Sequence, residues 1–462
     1  MSISPPHSLC PLSLRDAAGG NRPDAHAAGK SRIDDDSPAI RAGSQTKGHV
    51  LFVSRQRIVG KTNGSSAYLL DLATAARRAG FTPHLLQPSP NIMGRWPFMR
   101  LRPEMAAFET HAIRGVIRYR RWVVSRDPGV FIDAALAIAC RIARRAGLRG
   151  VWSTDRPRPY SIAAAWQDKD RTYLQRAADH ADIVIADYAF QAEAFMHFVN
   201  RPSAIVMHDL FHRRDAQPDV TDSVAKLGKD DEIALLAKAD AVIAIQSSEA
   251  HFILDNVPGS SAILAPMAVN TVSDVQPGKN GRLLFVGSNT APNVVGLEWF
   301  FRDVWPLVKA HSPSATLDIA GTVNAGFAET APAGVGFLGL VDDLTSLYTD
   351  AAIVISPLTF GSGLKIKLVE AMANGKAVVA TGVTLQGVEA ECDGAVIRAD
   401  TGVQFAEAIV TLLDDDHRRI ALARAALCAA KTHFSAPACH AEFIAWLESS
   451  RPTCSIEPGI TE

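Results

Sequence analysis

Along this chain, short apolar runs alternate with longer amphipathic stretches. "GHVLFVS" at 48–54 reads as a buried strand. A polar loop, "RQRIVGKTNGSS", follows, then the helical pattern "AYLLDLATAARRAG", for which Gly80 is a natural stop, then a second strand, "FTPHLLQP". Strand, loop, helix and strand in that order open a doubly wound parallel sheet. The pattern recurs in the predicted strands "GVWST", "ADIVIADY", "SAIVMHDL" (203–210), "AVIAIQ" and "SAILAP", with helical stretches between them.

The turn-rich segment "NTVSDVQPGKNG" at 270–281 interrupts the alternation, which then restarts. Strand "RLLFVGS" leads into helix "VVGLEWFFRDVWPLVKAHS" and strand "ATLDIAG". Strand "VGFLGLV", helix "DDLTSLYTDA", strand "AIVISP", helix "LKIKLVEAMANG" and strand "KAVVAT" come next. "GAVIRAD" and one long helix, "GVQFAEAIVTLLDDDHRRIALARAALCAAKTHF", complete the run. The pattern predicts two α/β domains of doubly wound type: residues 47–270 and 282–433, joined by a linker at 271–281. Residues 1–46 and 449–462 lack periodicity and read as disordered tails. A helix over 434–448 is expected to pack back on the first domain.

Composition narrows the function. In 462 residues, 47% are hydrophobic and 21% charged, enough for two full cores. The net charge of −1 gives no field for nucleic acid. "GVFIDAALAIACRIARRAGL" contains Asp133 and ends in arginines, so it falls short of the roughly 20 apolar residues of a membrane span. Basic residues in "RRAGLRG" and "RGVIRYRRW" offer a peripheral contact for a membrane, although arginines on helices are usually solvated. The cysteines at 10, 140, 392, 428, 439 and 454 form no CxxC pair and no metal spacing. With no signal-like N-terminus, the expectation is a cytoplasmic protein without redox or zinc chemistry.

Ligands of open α/β sheets bind outside the carboxyl ends of the strands. Five stretches lie there. "FGSGLKIKLVEAMANG" at 360–375 follows a strand and opens a helix. Gly361, Ser362, Gly363 and Leu364 would present backbone N–H groups, and Lys365 and Lys367 add positive charge where the helix dipole disfavours it without an anion. Glu370 lies three residues after Lys367 on the same helix face. The competing reading is a glycine bend followed by a surface ion pair; local spacing leaves the two even. "FVGSNTAPN" places Gly287, Ser288 and Asn289 after a strand, where Asn289 could equally cap the next helix. "VMHDLF" places His208 and Asp209 after another; alone, an Asx-capped turn is the stronger reading. Gly60 and Gly64 in "GKTNGSS" let that loop run near a ligand, with glycine spacing that does not make a P-loop. Asp155, Arg156 and Arg158 in "WSTDRPRPYS" read as solvated loop charges. No Ser-His-Asp, Cys-His or HExxH arrangement is evident.

At "PLTFGSGLKIKLVEAMANGKAVVAT" the residues match a known pattern. Residues 282–447 resemble retaining glycosyltransferases of family 4. These bacterial and other enzymes have the GT-B fold, two Rossmann-like domains facing across a cleft, and use nucleotide-diphosphate sugars. "VMHDLFHRR" and "LLAKADAVIAIQSSEA" are similar to the first domain of bacterial members. The resemblance implies a hexosyltransferase that moves a sugar to a saccharide or lipid-linked saccharide with retention, without metal or cofactor. By its pattern Gly361, Ser362, Gly363 and Leu364 hold the donor diphosphate, together with Lys365 or Lys367. Gly287, Ser288 and Asn289 line the donor side, Glu370 sits near the nucleotide ribose, and His208 sits beside the transferred sugar. Gly64 and Asp209 fall on the acceptor or sugar side. Ser362 stands where many members carry a first glutamate. A nucleotide-sugar epimerase of the same fold, or a non-catalytic binding protein, is the alternative.

Overall fold

The computed structural model describes residues 46–93, 96–145, 162–176, 181–216, 227–327, 331–361 and 364–451. The predicted strand "GVWST" and Asp155, Arg156 and Arg158 lie outside them, as do Ser362, Gly363 and most of both tails.

In the first lobe, strand β1 (His49–Val53) is followed by helix α1 (Gly64–Arg78) and strand β2 (Thr82–Gln87). Asn63 caps α1: its Oδ1 accepts from the Ser66 N–H at 2.8 Å, and Ser66 Oγ accepts from the Asn63 N–H at 3.1 Å. This satisfies two of the free N–H groups of the first turn. Gly80 follows the helix with φ +91°, a conformation that favours glycine. Then come β3 (Phe98–Arg100), β4 (Thr110–Ile113), β5 (Val116–Tyr119), β6 (Trp122–Ser125), α2 (Pro128–Arg145) and α3 (Asp168–Gln175). The lobe continues through β7 (Ile183–Asp187), β8 (Ser203–Val206), α4 (Lys229–Leu236), β9 (Ala241–Ala244), α5 (Ser247–Asn256) and β10 (Ser261–Leu264).

Seven of these strands form one parallel sheet in the order β10-β9-β8-β7-β1-β2-β4. The central strands are buried on both faces, which is why they read as continuous apolar runs. The chain order reverses between β1 and β7, making a crevice at the carboxyl edge.

The second lobe runs β11 (Lys279–Val286), α6 (Ala291–Trp299), α7 (Trp305–His311), β12 (Thr316–Ala320), β13 (Val335–Gly339), α8 (Thr345–Asp350) and β14 (Ala351–Ser356). It closes with α9 (Ile366–Ala373), β15 (Ala377–Ala380), α10 (Gly382–Leu385), α11 (Glu389–Cys392), β16 (Ile397–Arg398), α12 (Gly402–Asp414) and α13 (Asp416–His433). Its parallel sheet has the order β13-β12-β11-β14-β15-β16, with the reversal between β11 and β14. The last helix, α14 (Ala436–Ser449), inserts Phe443 and Leu447 among the core residues of the first lobe. Burying two such side chains stabilises this return by about 2 kcal/mol each. On the same helix His440 Nε2 contacts Asp71 at 2.8 Å, and Glu442 accepts the Leu264 N–H at 2.7 Å.

Three elements differ from expectation. "RGVIRYRRW" is not helical but forms β5 and β6 of a separate antiparallel sheet, β3-β6-β5. Alternation of β-branched and aromatic residues favours strands there, and Arg120 turns the hairpin with φ +52°. The strand predicted over 203–210 stops at Val206, which places His208 and Asp209 on the loop beyond the sheet edge. The single helix predicted over 402–434 is two, because Asp415 adopts extended backbone and its side chain accepts the Arg418 N–H at 2.9 Å, capping α13 afresh.

Candidate functional site

His208 is held from three sides. Its Nε2 lies 2.6 Å from Asp187 Oδ1, the Tyr188 ring stacks on it at 4.0 Å, and the Tyr68 ring meets it edge-on at 5.6 Å. Asp187 is fully buried at the end of β7. Its second oxygen, Oδ2, accepts from Ser54 Oγ at 2.5 Å, just past β1, and from Gln56 Nε2 at 3.4 Å. An ionised carboxylate only accepts, so the His208 Nε2 carries the proton and Nδ1 is the nitrogen left for a ligand. Tyr188 holds its position with φ +75°, a conformation costly for a bulky residue, while its hydroxyl donates to Ser65 Oγ at 2.8 Å. The first crevice thus gathers the ends of β1, β7 and β8 and the start of α1 around one imidazole.

Asp209, next in the chain, is buried, and its Oδ1 accepts the Leu210 N–H at 2.9 Å. It shares an electrostatic neighbourhood with Glu249 on α5 and with Lys365 of the second lobe. Burial lowers the Lys365 ammonium to about 8, and Asp209 and then Glu249 work against that loss. Burial, reinforced by Asp209, raises the Glu249 carboxyl to about 8. Its oxygens accept from the Ile245 N–H at 3.2 Å and from Gln246 Nε2 at 3.3 Å. One half-buried lysine of the second lobe is therefore electrostatically coupled to two first-lobe carboxyl groups.

Lys365 is the residue preceding the first turn of α9 rather than part of it. Gly361 has φ +123°, and a side chain there would touch Pro292 at the start of α6 at 3.4 Å and Lys365 at 3.9 Å. Leu364 packs against core residues of both lobes, and a side chain at Gly64 would meet Ile366 Cδ1 at 3.4 Å. So Gly64, Asp209, Leu364, Lys365 and Gly361 converge where the lobes meet.

Other predicted residues are differently engaged. Lys367 is exposed and pairs with Glu370 at 2.6 Å, which is the bland surface pair the spacing allowed. Glu370 also lies beside Tyr348, whose phenol is held protonated by burial first and by that carboxylate second. Gly287 and Asn289 commit their N–H groups within the lobe, to the Ala320 carbonyl at 3.0 Å and Thr322 Oγ1 at 3.0 Å. The Ser288 carbonyl accepts from Asn293 Nδ2 at 2.9 Å. Gly321 is required for a close approach to Gly287: with φ +105°, a Cβ on Gly321 would lie 2.1 Å from the Gly287 carbonyl oxygen.

Asp187, Tyr188 and Glu249 were not singled out from sequence. The first two sit at the end of the strand "ADIVIADY", so its carboxyl edge was the available signal; Glu249 carried none.

Comparison with known proteins follows the same division. Residues 280–415 match the model of the family described as Glycosyl transferases group 1. The whole architecture is similar to sucrose-phosphate synthase of Thermosynechococcus elongatus, at TM-score 0.57 and 14% identity over 87% of this chain and 98% of that one. It is similar also to Anabaena HepE solved with UDP and glucose, at TM-score 0.55 and 15% identity over 87% and 100%. The fold is GT-B. The stretch that matches the family model falls in the second lobe of this GT-B architecture. A Klebsiella pneumoniae protein described as an uncharacterized 44.6 kDa protein in the cps region is 30% identical over 142 residues. That alignment takes in 28% of this chain and spans 37% of the relative's length.

Proposed function

We propose that this protein is a glycosyltransferase that uses a nucleotide-diphosphate sugar and transfers the sugar with retention of configuration, as a family 4 enzyme. The observation that carries the reading is the half-buried Lys365 at the mouth of α9, inside the matched domain and within the electrostatic reach of Asp209 and Glu249 of the other lobe. Breaking a sugar–phosphate bond leaves a diphosphate that gains negative charge and a sugar that gains positive charge. A lysine and helix N–H groups aimed at the diphosphate stabilise the first, and removing one such donor typically costs about 3 kcal/mol of transition-state stabilisation. Carboxyl groups and a histidine on the facing lobe suit the sugar and the incoming hydroxyl.

In this assignment Lys365 and the backbone of 361–364 hold the diphosphate, Glu370 receives the ribose, and His208 contacts the transferred sugar through Nδ1. Gly287, Ser288 and Asn289 line the donor side through side chain or carbonyl, since their free N–H groups are few. Water exclusion between the lobes keeps the donor from hydrolysis. The acceptor is a saccharide or lipid-linked saccharide. HepE, seen with UDP and glucose, and a relative in a cps region support a uridine-linked donor and polysaccharide assembly.

Incubation with a panel of radiolabelled nucleotide sugars, with and without mixed saccharide acceptors, tests the proposal. Donor-dependent transfer or slow hydrolysis is expected. Interconversion of the sugar while it stays on its nucleotide would assign an epimerase instead, and binding without turnover a non-catalytic protein. An inverted anomeric linkage in the product would overturn retention alone.

A further inference from the structure

The separate antiparallel sheet β3-β6-β5 has two unlike faces. Its register pairs Phe98 with Val124 and Val124 with Ile117, then Arg100 with Trp122 and Trp122 with Tyr119. Residues two apart on a strand share a face, so these six positions form one surface. The opposite face carries Met99 and Val123, which are buried in the first-lobe core. The outer face would be polar if it met only water. Instead Tyr119 is 69% exposed, Ile117 53%, Phe98 49% and Trp122 45%.

These side chains are mutually packed rather than splayed. Phe98 meets Trp122 edge-on at 6.2 Å, and Trp96 lies 6.3 Å from Phe98. Arginines surround them. Arg100 sits over the Trp122 ring at 5.9 Å and Arg120 over the Tyr119 ring at 5.8 Å. Arg121 is exposed in the hairpin turn. Residues 110–126 contain five arginines and no Asp or Glu. None of the ion pairs formed by the described residues engages Arg100, Arg120 or Arg121. Helix α2 begins at Pro128, directly after this sheet, and leaves Phe131, Ile132, Ile138 and Ile142 exposed.

We infer that this face docks on the surface of an anionic lipid bilayer. Tryptophan and tyrosine favour the boundary between headgroups and acyl chains, because each has an apolar body and a polar tip. Arginines around them suit lipid phosphates and anionic headgroups, and their aliphatic stems extend the apolar contact. A protein partner would fit the aromatics, but Arg100, Arg120 and Arg121 around them, with no ion-pair partner among the described residues, favour a uniformly negative surface. Among the described residues no helix is long and apolar enough to cross a membrane, so the contact is peripheral. The inference rests on the sheet alone and stands whether or not the proposed transfer reaction is correct.

Co-sedimentation with vesicles tests it, comparing phosphatidylcholine alone with an equal mixture of phosphatidylcholine and phosphatidylglycerol. The full chain is expected to partition onto the mixed vesicles, less so as salt rises, and weakly onto the neutral ones. The variant I117S/Y119S/W122S is expected to lose at least about tenfold in partitioning. R120E/R121E, which leaves the apolar residues in place, should lose the preference for anionic vesicles. Thermal unfolding and UDP binding in both variants should match the parent, which separates lost docking from lost folding. Absence of vesicle binding, or binding unchanged in both variants, overturns the inference. A dimer that the same substitutions dissolve, with no vesicle binding, overturns it too and makes a second copy the occupant.

Discussion

Asp187 Oδ1 stands 2.6 Å from His208 Nε2, and neither residue is near the other in sequence. The carboxylate, itself fixed by Ser54, sets which ring nitrogen keeps its proton and which faces outward. Asp187→Asn preserves size but can present its amide nitrogen to Nε2 and reverse that choice. We expect it to lower kcat by at least about tenfold, and His208→Ala by about 10²-fold, the scale of one lost electrostatic contact in a transition state. Unchanged kcat in both, with a proven donor, would remove His208 from the reaction.

Lys365 should make donor binding depend on pH. Its partly desolvated ammonium, lowered to about 8, is charged below that value and neutral above it. Affinity for UDP is therefore expected to be flat below about 8 and to fall as pH rises further, by at most about tenfold per pH unit. Lys365→Arg, which stays charged, should flatten the profile, and Lys365→Ala should weaken binding at every pH. Calorimetric titration checks all three proteins. Lys367→Ala is the control: its exposed pair with Glu370 contributes about 0–1 kcal/mol, so stability should barely change.

Glu249 predicts a pH-dependent stability of opposite origin. The folded protein holds its proton up to about 8, whereas the unfolded chain releases it in the ordinary carboxylate range. The folded state thus binds more protons between those limits. The stabilisation from this group is complete below the ordinary carboxylate value and declines as pH rises through about 8. Glu249→Gln replaces the protonated acid by an amide, and Gln246 Oε1 beside it is a buried acceptor without a hydrogen-bond partner. Urea midpoints measured across that range should fall less steeply in the variant; equal slopes would show that Glu249 is ionised in the fold.

Gly321 tests the construction of the donor-side loop. Alanine there meets both a φ of +105° and the Gly287 carbonyl. Strain and forced displacement together should cost about 2–5 kcal/mol. Gly394→Ala has positive φ but open space around it, so it should cost about 1–2 kcal/mol. Chemical denaturation of the two variants separates steric from conformational cost; equal losses would contradict the close approach seen between Gly287 and Gly321.

Much of the framework was legible because its signals are local. Buried parallel strands such as Val50–Val53 and Ile353–Ile355 appear as apolar runs, and Asn63 and Gly80 mark the ends of α1 by side-chain chemistry and backbone freedom. The stretch after β14 could be placed at a sheet's carboxyl edge for the same reason. Where local signals compete, reading failed: Asp415 breaks a pattern that looks continuous, and Arg118 in β5 with Arg120 and Arg121 in the turn before β6 obscured a two-residue alternation.

The sequence by itself determined two doubly wound sheets and the loops at their carboxyl edges, because hydrophobic periodicity and turn chemistry act over a few residues. Only the tertiary structure decided the partnerships: Asp187 with His208, Asp209 and Glu249 around Lys365, and Lys367 with Glu370 rather than facing inward. These depend on which strand neighbours which, and on how deeply a charged group is withdrawn from water. Burial sets the protonation of a lysine or glutamate by cutting it off from a high-dielectric solvent, and nothing in a run of adjacent residues records that distance.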